Sequence, residues 1–207
     1  MPTLPMNGKT IVLGVTGASG AVYAQRVAQL LAGDKRVARV HLVVSDGGRK
    51  LLRQELNISP RDPGQLPAAL VGRAAKKLEL LEITDIGTSI ASGSYPTDGM
   101  LVVPCSMGTL AAIAHGLSDN LIERAADVHL KEGRRLILCW RDAPLSQIHL
   151  ENMLRLARAG ATIFPLAPAY YHGAKTIPEL VNQFCARLLA RLGLPQESQF
   201  RWKGMRK

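Results

Sequence analysis

IVLGVTGASGAVYA, residues 11–24, is an apolar run that breaks into a loop of small residues. Residues 10–15 read as a buried strand and residues 21–33 as a helix with apolar positions at helical spacing. Between and around them Gly14, Gly17 and Gly20 recur at every third position. A strand, a glycine loop and a helix start bring unpaired backbone N–H groups close to an anion, with no Cβ in the way. Three anions suit such a turn: a dinucleotide, a nucleoside triphosphate, or something smaller.

The pattern repeats along the chain. Strands are expected at 38–45, 78–83, 99–106, 134–140 and 161–168, and helices at 49–56, 108–117, 119–132, 146–160 and 176–193. Ser146 is a plausible cap for the helix it precedes, and Pro178 falls in the first turn of the closing helix. Residues 57–76, with three prolines, read as a loop or irregular crossing. Strands separated by helices pair in parallel through right-handed crossovers, which gives a doubly wound α/β sheet. No repeat, low-complexity tract or linker interrupts the 207 residues, so one domain spanning 1–207 is the expectation.

Composition excludes several classes. No apolar run approaches the roughly 20 residues of a membrane helix. The opening MPTLPMNGKT has neither the charged start nor the apolar core of a signal peptide, so a cytoplasmic location is expected. Cys105, Cys139 and Cys185 lie far apart in apolar surroundings and read as buried thiols. The five histidines stand singly, with no metal-ligand spacing, and His149 reads as a packing residue. The formal charge is +10, but Lys and Arg are spread along the chain beside only nine aromatics. That argues for a small anionic ligand over nucleic acid.

Ligands of doubly wound sheets sit at the carboxyl ends of the strands. There the sequence carries TGASGA, SDGG, PCSMGTL, WRDAPLS and PAYYHGAK, a collection of hydroxyls, small residues and charges. Ser106, Gly108 and Thr109 open a helix directly after a buried strand, an arrangement suited to phosphate or to plain capping. A dinucleotide is poorly supported, because Gly14, Gly17 and Gly20 do not form GxGxxG. Tyr171 and Lys175 have the spacing of the short-chain dehydrogenase pair, yet Pro165, Pro168 and Gly173 argue for a loop where that pair needs a helix. GxxxxGK[ST] and GxSxG are both absent.

The stretch DNLIERAADVHLKEGRRLILCWRDAPLSQIHLENMLRLARAGATIFPLAPAYYH, with TGASGA, ASGS and PCSMGTL, resembles the flavin prenyltransferases of the UbiX/Pad type over almost the whole chain. The flavoprotein cysteine decarboxylases, the second reading, resemble it less at NLIERAAD and IHLENM. The resemblance implies a three-layer α/β/α, Rossmann-like (flavodoxin-like) parallel sheet that binds FMN. It implies transfer of a dimethylallyl group from dimethylallyl monophosphate to reduced FMN, without a metal. It also implies a homo-oligomer, usually a dodecamer, with sites between subunits. The prenylated FMN serves a UbiD-type decarboxylase, in ubiquinone synthesis or aromatic acid breakdown.

Carried over by position, the resemblance assigns FMN contacts to Gly17, Ala18, Ser19, Ser45, Ser92, Gly93, Ser106, Met107, Gly108, Thr109 and Arg141. It assigns the allyl phosphate to Arg124, Lys131, Tyr171 and Arg187. Ser19, Glu55, Lys131, Asp142, Tyr171 and Trp202 are the implied catalytic residues, and the tail from about 195 to 207 is expected on the site or on a neighbouring subunit. One position departs: the family reads Arg-Glu where this chain has Arg141-Asp142. The shorter carboxylate turns a direct phosphate contact into a water-bridged one.

Overall fold

Six parallel strands form one sheet in the order β3-β2-β1-β4-β5-β6, in a computed structural model that describes residues 8–201 and 204. The strands are β1 (Lys9–Val15), β2 (Val37–Val44), β3 (Leu78–Leu81), β4 (Gly99–Cys105), β5 (Leu136–Trp140) and β6 (Thr162–Pro165). All six are the strands expected from the apolar runs. The chain divides after Leu166 into two compact units. The first contains the sheet with α1 (Ala21–Gly33), α2 (Asp46–Leu56), α3 (Leu66–Val71), α4 (Met107–Ala114), α5 (Leu121–Lys131) and α6 (Gln147–Arg158).

Strand residues alternate between two faces. Val12, Met100, Val102, Leu136 and Leu138 join Leu110 of α4, Ile122 of α5 and Met153 of α6 in one buried cluster. Ile11, Leu13, Val15 and Leu101, on the opposite face, are fully buried too. There α1 supplies Ala24, Val27, Ala28 and Leu31 and meets α2 and α3. Helices therefore cover both faces, the three-layer α/β/α arrangement. Gly14, next to the last residue of β1, gives room to Val102 and Ile122, whose side chains lie 3.4 and 3.5 Å from where a Cβ would stand.

Three local readings change. Helix α2 begins at Asp46, three residues before the expected start, because Ser45 caps it by accepting the Gly48 N–H at 3.1 Å. The proline-rich crossing contains α3, with Pro67 in the first turn, where a missing N–H costs no hydrogen bond. His149 is part of a capping box: its N–H donates to Ser146 Oγ at 3.2 Å, and its Nδ1 accepts from the Ser146 N–H at 3.3 Å. The three cysteines are buried, as expected. Among the described residues no helix is long and apolar enough to cross a membrane.

The second unit holds α7 (Ile177–Arg191). Thr176 Oγ1 accepts the Glu179 N–H at 3.3 Å, and Glu179 accepts the Lys175 N–H at 2.7 Å. Residues 171–175 form no helix, which separates Tyr171 and Lys175 from the dehydrogenase arrangement. Gln183 fastens the tail, donating to Ser198 O at 2.8 Å and accepting the Phe200 N–H at 2.8 Å.

Candidate active site

The strand order reverses between β1 and β4, since the chain runs outward through β2 and β3 and then returns to the other side of β1. Ligand crevices of open α/β sheets lie at this switch point. One buried side chain ties its two walls together. Thr16 Oγ1 donates to Pro104 O at 3.0 Å and accepts the Ser106 N–H at 2.7 Å. The Thr16 N–H also donates to Pro104 O, at 3.1 Å. Sequence reasoning passed over Thr16; its signal was a lone hydroxyl between a strand end and a glycine loop.

Glycines set the spacing of the next wall. A Cβ on Gly17 would stand 3.1 Å from Gly47 Cα, and one on Gly48 2.5 Å from Val15 O. The loop after β1 and the start of α2 therefore touch backbone to backbone. Gly47 and Gly48 were not singled out from the sequence either. Ser19 is exposed, Ala18 is buried and Ser45 is half-buried beside them.

Helix α4 opens at the crevice. Ser106 Oγ accepts the Thr109 N–H at 3.3 Å and donates to Thr109 Oγ1 at 3.1 Å. This leaves the N–H groups of Met107 and Gly108 without an acceptor among the described residues. A Cβ on the exposed Gly108 would meet open space. Two unpaired N–H groups, two hydroxyls and a helix dipole make this turn fit for a phosphate. The glycine-lined loop beside it leaves backbone accessible to a flat ring system, so the residues present fit FMN.

Helix α1 is closed to anions by contrast. Glu55, near the end of α2, accepts the Ala21 N–H at 2.8 Å and the Gly20 N–H at 3.1 Å. At the end of β5 Arg141 is exposed, and Asp142 Oδ1 accepts the Ala143 N–H at 2.8 Å. Cys105, next to Ser106, is no nucleophile, because burial pushes its thiol up to about 12.

Four expected site residues gather elsewhere in the same unit. Arg124 Nε donates to Ala91 O at 3.0 Å, and its Nη1 pairs with Asp127 at 3.0 Å. Ser92 and Ser94, both exposed, share a hydrogen bond at 2.9 Å. Gly93 lies against Glu132, whose Oε1 is 3.9 Å from Lys131 Nζ. Lys131 precedes β5 and Arg141 follows it. Five strand residues at about 3.3 Å each separate the two ends by roughly 16 Å. Ser92, Gly93, Arg124 and Lys131 thus form a second group of residues, of which Lys131 stands at the end of β5 opposite the crevice.

In the second unit, Tyr171 packs against Phe200 with ring centroids 5.5 Å apart, and His172 lies 6.1 Å from Phe200. Gln183 holds Phe200, and the exposed Arg187 stands one turn further along the same face of α7. Tyr171 and Arg187 thus occupy one region of this unit. Trp202 lies outside the described residues.

The flavoprotein family model matches residues 2–189. The flavin prenyltransferase UbiX of Alkalihalophilus pseudofirmus is 43% identical over 94% of this chain and 96% of its own. Among solved structures, AnUbiX (PadA1) in complex with FMN and dimethylallyl pyrophosphate is 41% identical, covers 96% of this chain and 100% of its own, and superposes with a TM-score of 0.85. A dodecameric FMN-dependent UbiX-like protein from Escherichia coli O157:H7 is also 41% identical, over 94% of this chain and 100% of its own, with a TM-score of 0.84. With its switch-point crevice, its α4 anion turn and these relatives, the chain belongs to the flavoprotein family and, within it, to the flavin prenyltransferases.

Proposed function

We propose that the protein joins the dimethylallyl group of dimethylallyl monophosphate to reduced FMN, at N5 and then C6, yielding prenylated FMN for a UbiD-type decarboxylase. The observation that carries this reading is the crevice stapled by Thr16, with the free N–H groups of Met107 and Gly108 beside the glycine contact of Gly17 and Gly47. Reduced FMN supplies the nucleophile. Gly17, Ala18, Ser19, Ser45, Ser106, Met107, Gly108, Thr109 and Arg141 hold it.

The remaining work belongs to charge and proton control. As the allyl C–O bond breaks, negative charge grows on the departing phosphate. Arg124, Lys131, Arg141 and Arg187 neutralise it as fixed cations, so the reaction needs no divalent ion. Tyr171 or Asp142 donates a proton to the phosphate. Aromatic faces of Tyr171 and Trp202 stabilise the positive charge that develops on the allyl group by about 1 kcal/mol or more. Glu55, which aligns with a family carboxylate near the reacting edge, is the candidate proton acceptor.

Lys131 and Arg141 lie at opposite ends of β5. This supports a site completed by a second copy of the chain, in which Ser92, Gly93, Arg124 and Lys131 of one subunit meet the crevice of another. A homo-oligomer, a dodecamer as in the Escherichia coli relative, follows. We place the enzyme in the cytoplasm, with no membrane or nucleic-acid partner.

The test is anaerobic mixing of the protein, reduced FMN and dimethylallyl monophosphate, followed by mass analysis of the flavin. A mass gain of one dimethylallyl unit is expected. An unchanged flavin, kept reduced throughout, overturns the reading.

A further inference from the structure

Residues 92–97 are a turn followed by irregular backbone, yet side chains with no proposed contact to flavin or phosphate hold them at several points. Arg134 Nη2 donates to Gly93 O at 2.6 Å, and its Nη1 donates to Tyr95 O at 2.7 Å and to Thr97 Oγ1 at 3.3 Å. His129, fully buried on α5, has its Nε2 2.9 Å from Thr97 Oγ1 and its Nδ1 2.7 Å from Ala125 O. The buried His41 of β2 has its Nε2 2.9 Å from the Tyr95 hydroxyl.

The proton positions follow from these partners. A carbonyl only accepts, so His129 Nδ1 carries the proton toward Ala125 O. Its Nε2 is then bare and accepts the Thr97 hydroxyl proton. That leaves a Thr97 lone pair for Arg134 Nη1. The relay runs in one direction: Arg134 to Thr97, Thr97 to His129, His129 to Ala125. Each member fixes its neighbour's orientation, and the guanidinium fork fixes two carbonyls on either side of Ser94.

We infer that Arg134 and the Thr97–His129 pair are positioning residues for Ser92 and Gly93, holding that turn in the geometry the flavin site requires. The inference rests on the reading of the Ser92 turn as part of a flavin site. Ser92 and Ser94 present their hydroxyls outward on this frame. The planar fork bonds two of the turn's carbonyls and the Thr97 hydroxyl, and so fixes the backbone on both sides of Ser94.

The experiment compares Arg134→Lys, Thr97→Val, Thr97→Ser and Ser92→Ala, each isolated as folded oligomer by gel filtration. Flavin prenylation is measured at saturating FMN and dimethylallyl monophosphate, alongside the thermal unfolding midpoint. A lysine keeps the charge but loses the fork. Misplacement of about 1 Å costs up to 100-fold in rate, so kcat should fall about 10- to 100-fold in Arg134→Lys and Thr97→Val. Thr97→Ser, which keeps the hydroxyl, should stay within about threefold. Lower unfolding midpoints with an unchanged kcat per folded site would overturn the proposal. So would an impaired Ser92→Ala beside an unimpaired Arg134→Lys. A Ser92→Ala enzyme with parental kcat removes the turn from the flavin site, and the proposal falls with that reading.

Discussion

The carboxylate of Glu55 caps helix α1 from another helix, accepting the Ala21 N–H at 2.8 Å and the Gly20 N–H at 3.1 Å. It occupies the turn where a dinucleotide's pyrophosphate binds in sheets of this strand order. Glu55→Ala removes the acceptor and leaves the dipole uncompensated. It should lower stability by about 1 kcal/mol, read as a reduced urea midpoint with an unchanged slope. Glu55→Gln keeps one acceptor oxygen and should lose less.

Thr16→Val is close to isosteric but cannot accept the Ser106 N–H. Leaving that group unpaired should cost about 1–3 kcal/mol. The anion turn of α4 also loses its anchor, so FMN affinity should fall about tenfold in a fluorescence titration. Thr16→Ser should restore both values.

Tyr171→Phe and Arg187→Ala should leave FMN affinity within about twofold while lowering the prenylation rate at least about tenfold, as expected for groups acting on developing charge. Loss of FMN binding in either variant would contradict the assignment of these two residues to the allyl phosphate.

Asp142→Glu restores the side-chain length usual in the family. The expected outcome is activity equal to or above the parent's, because the longer carboxylate reaches the phosphate without a bridging water. A large loss, in steady-state kinetics with dimethylallyl monophosphate, would mean that the site is built around the shorter group.

Burial pushes His129 down to about 4 and also lowers His41. In the unfolded chain both titrate near the ordinary value of about 6.5. Between pH 6.5 and 4 the unfolded state therefore binds more protons than the folded one, and stability rises with pH. The contribution of His129 is complete above about pH 6.5 and is lost as pH falls toward 4. Urea midpoints across this range should show that slope, and His129→Gln should flatten it.

The six strands were legible because buried parallel strands read as continuous apolar runs between glycine-rich loops. Ser45 escaped notice as a cap because Gly47 and Gly48 read as loop, although Gly48 is there to let α2 approach Val15 O. The three prolines of residues 57–76 read as a loop or irregular crossing, yet Pro67, in the first turn of α3, breaks nothing. The roles of Thr16 and Glu55 depend on partners 88 and 34 positions away along the chain, which no local pattern reveals. The separation of Lys131 from Arg141 was open to inspection, since one stands before a strand and the other after it.

The hydroxyl of Thr16 has a consequence for how this fold can be rebuilt. It joins the end of β1 to the start of α4 through Pro104 O and the Ser106 N–H. Neither loop is a self-contained module. Grafting the β1 loop of a nucleotide-binding relative would deliver one half of a matched joint and strand the other. The smallest portable piece of this architecture is both loops together, so exchange between families must carry them as a pair.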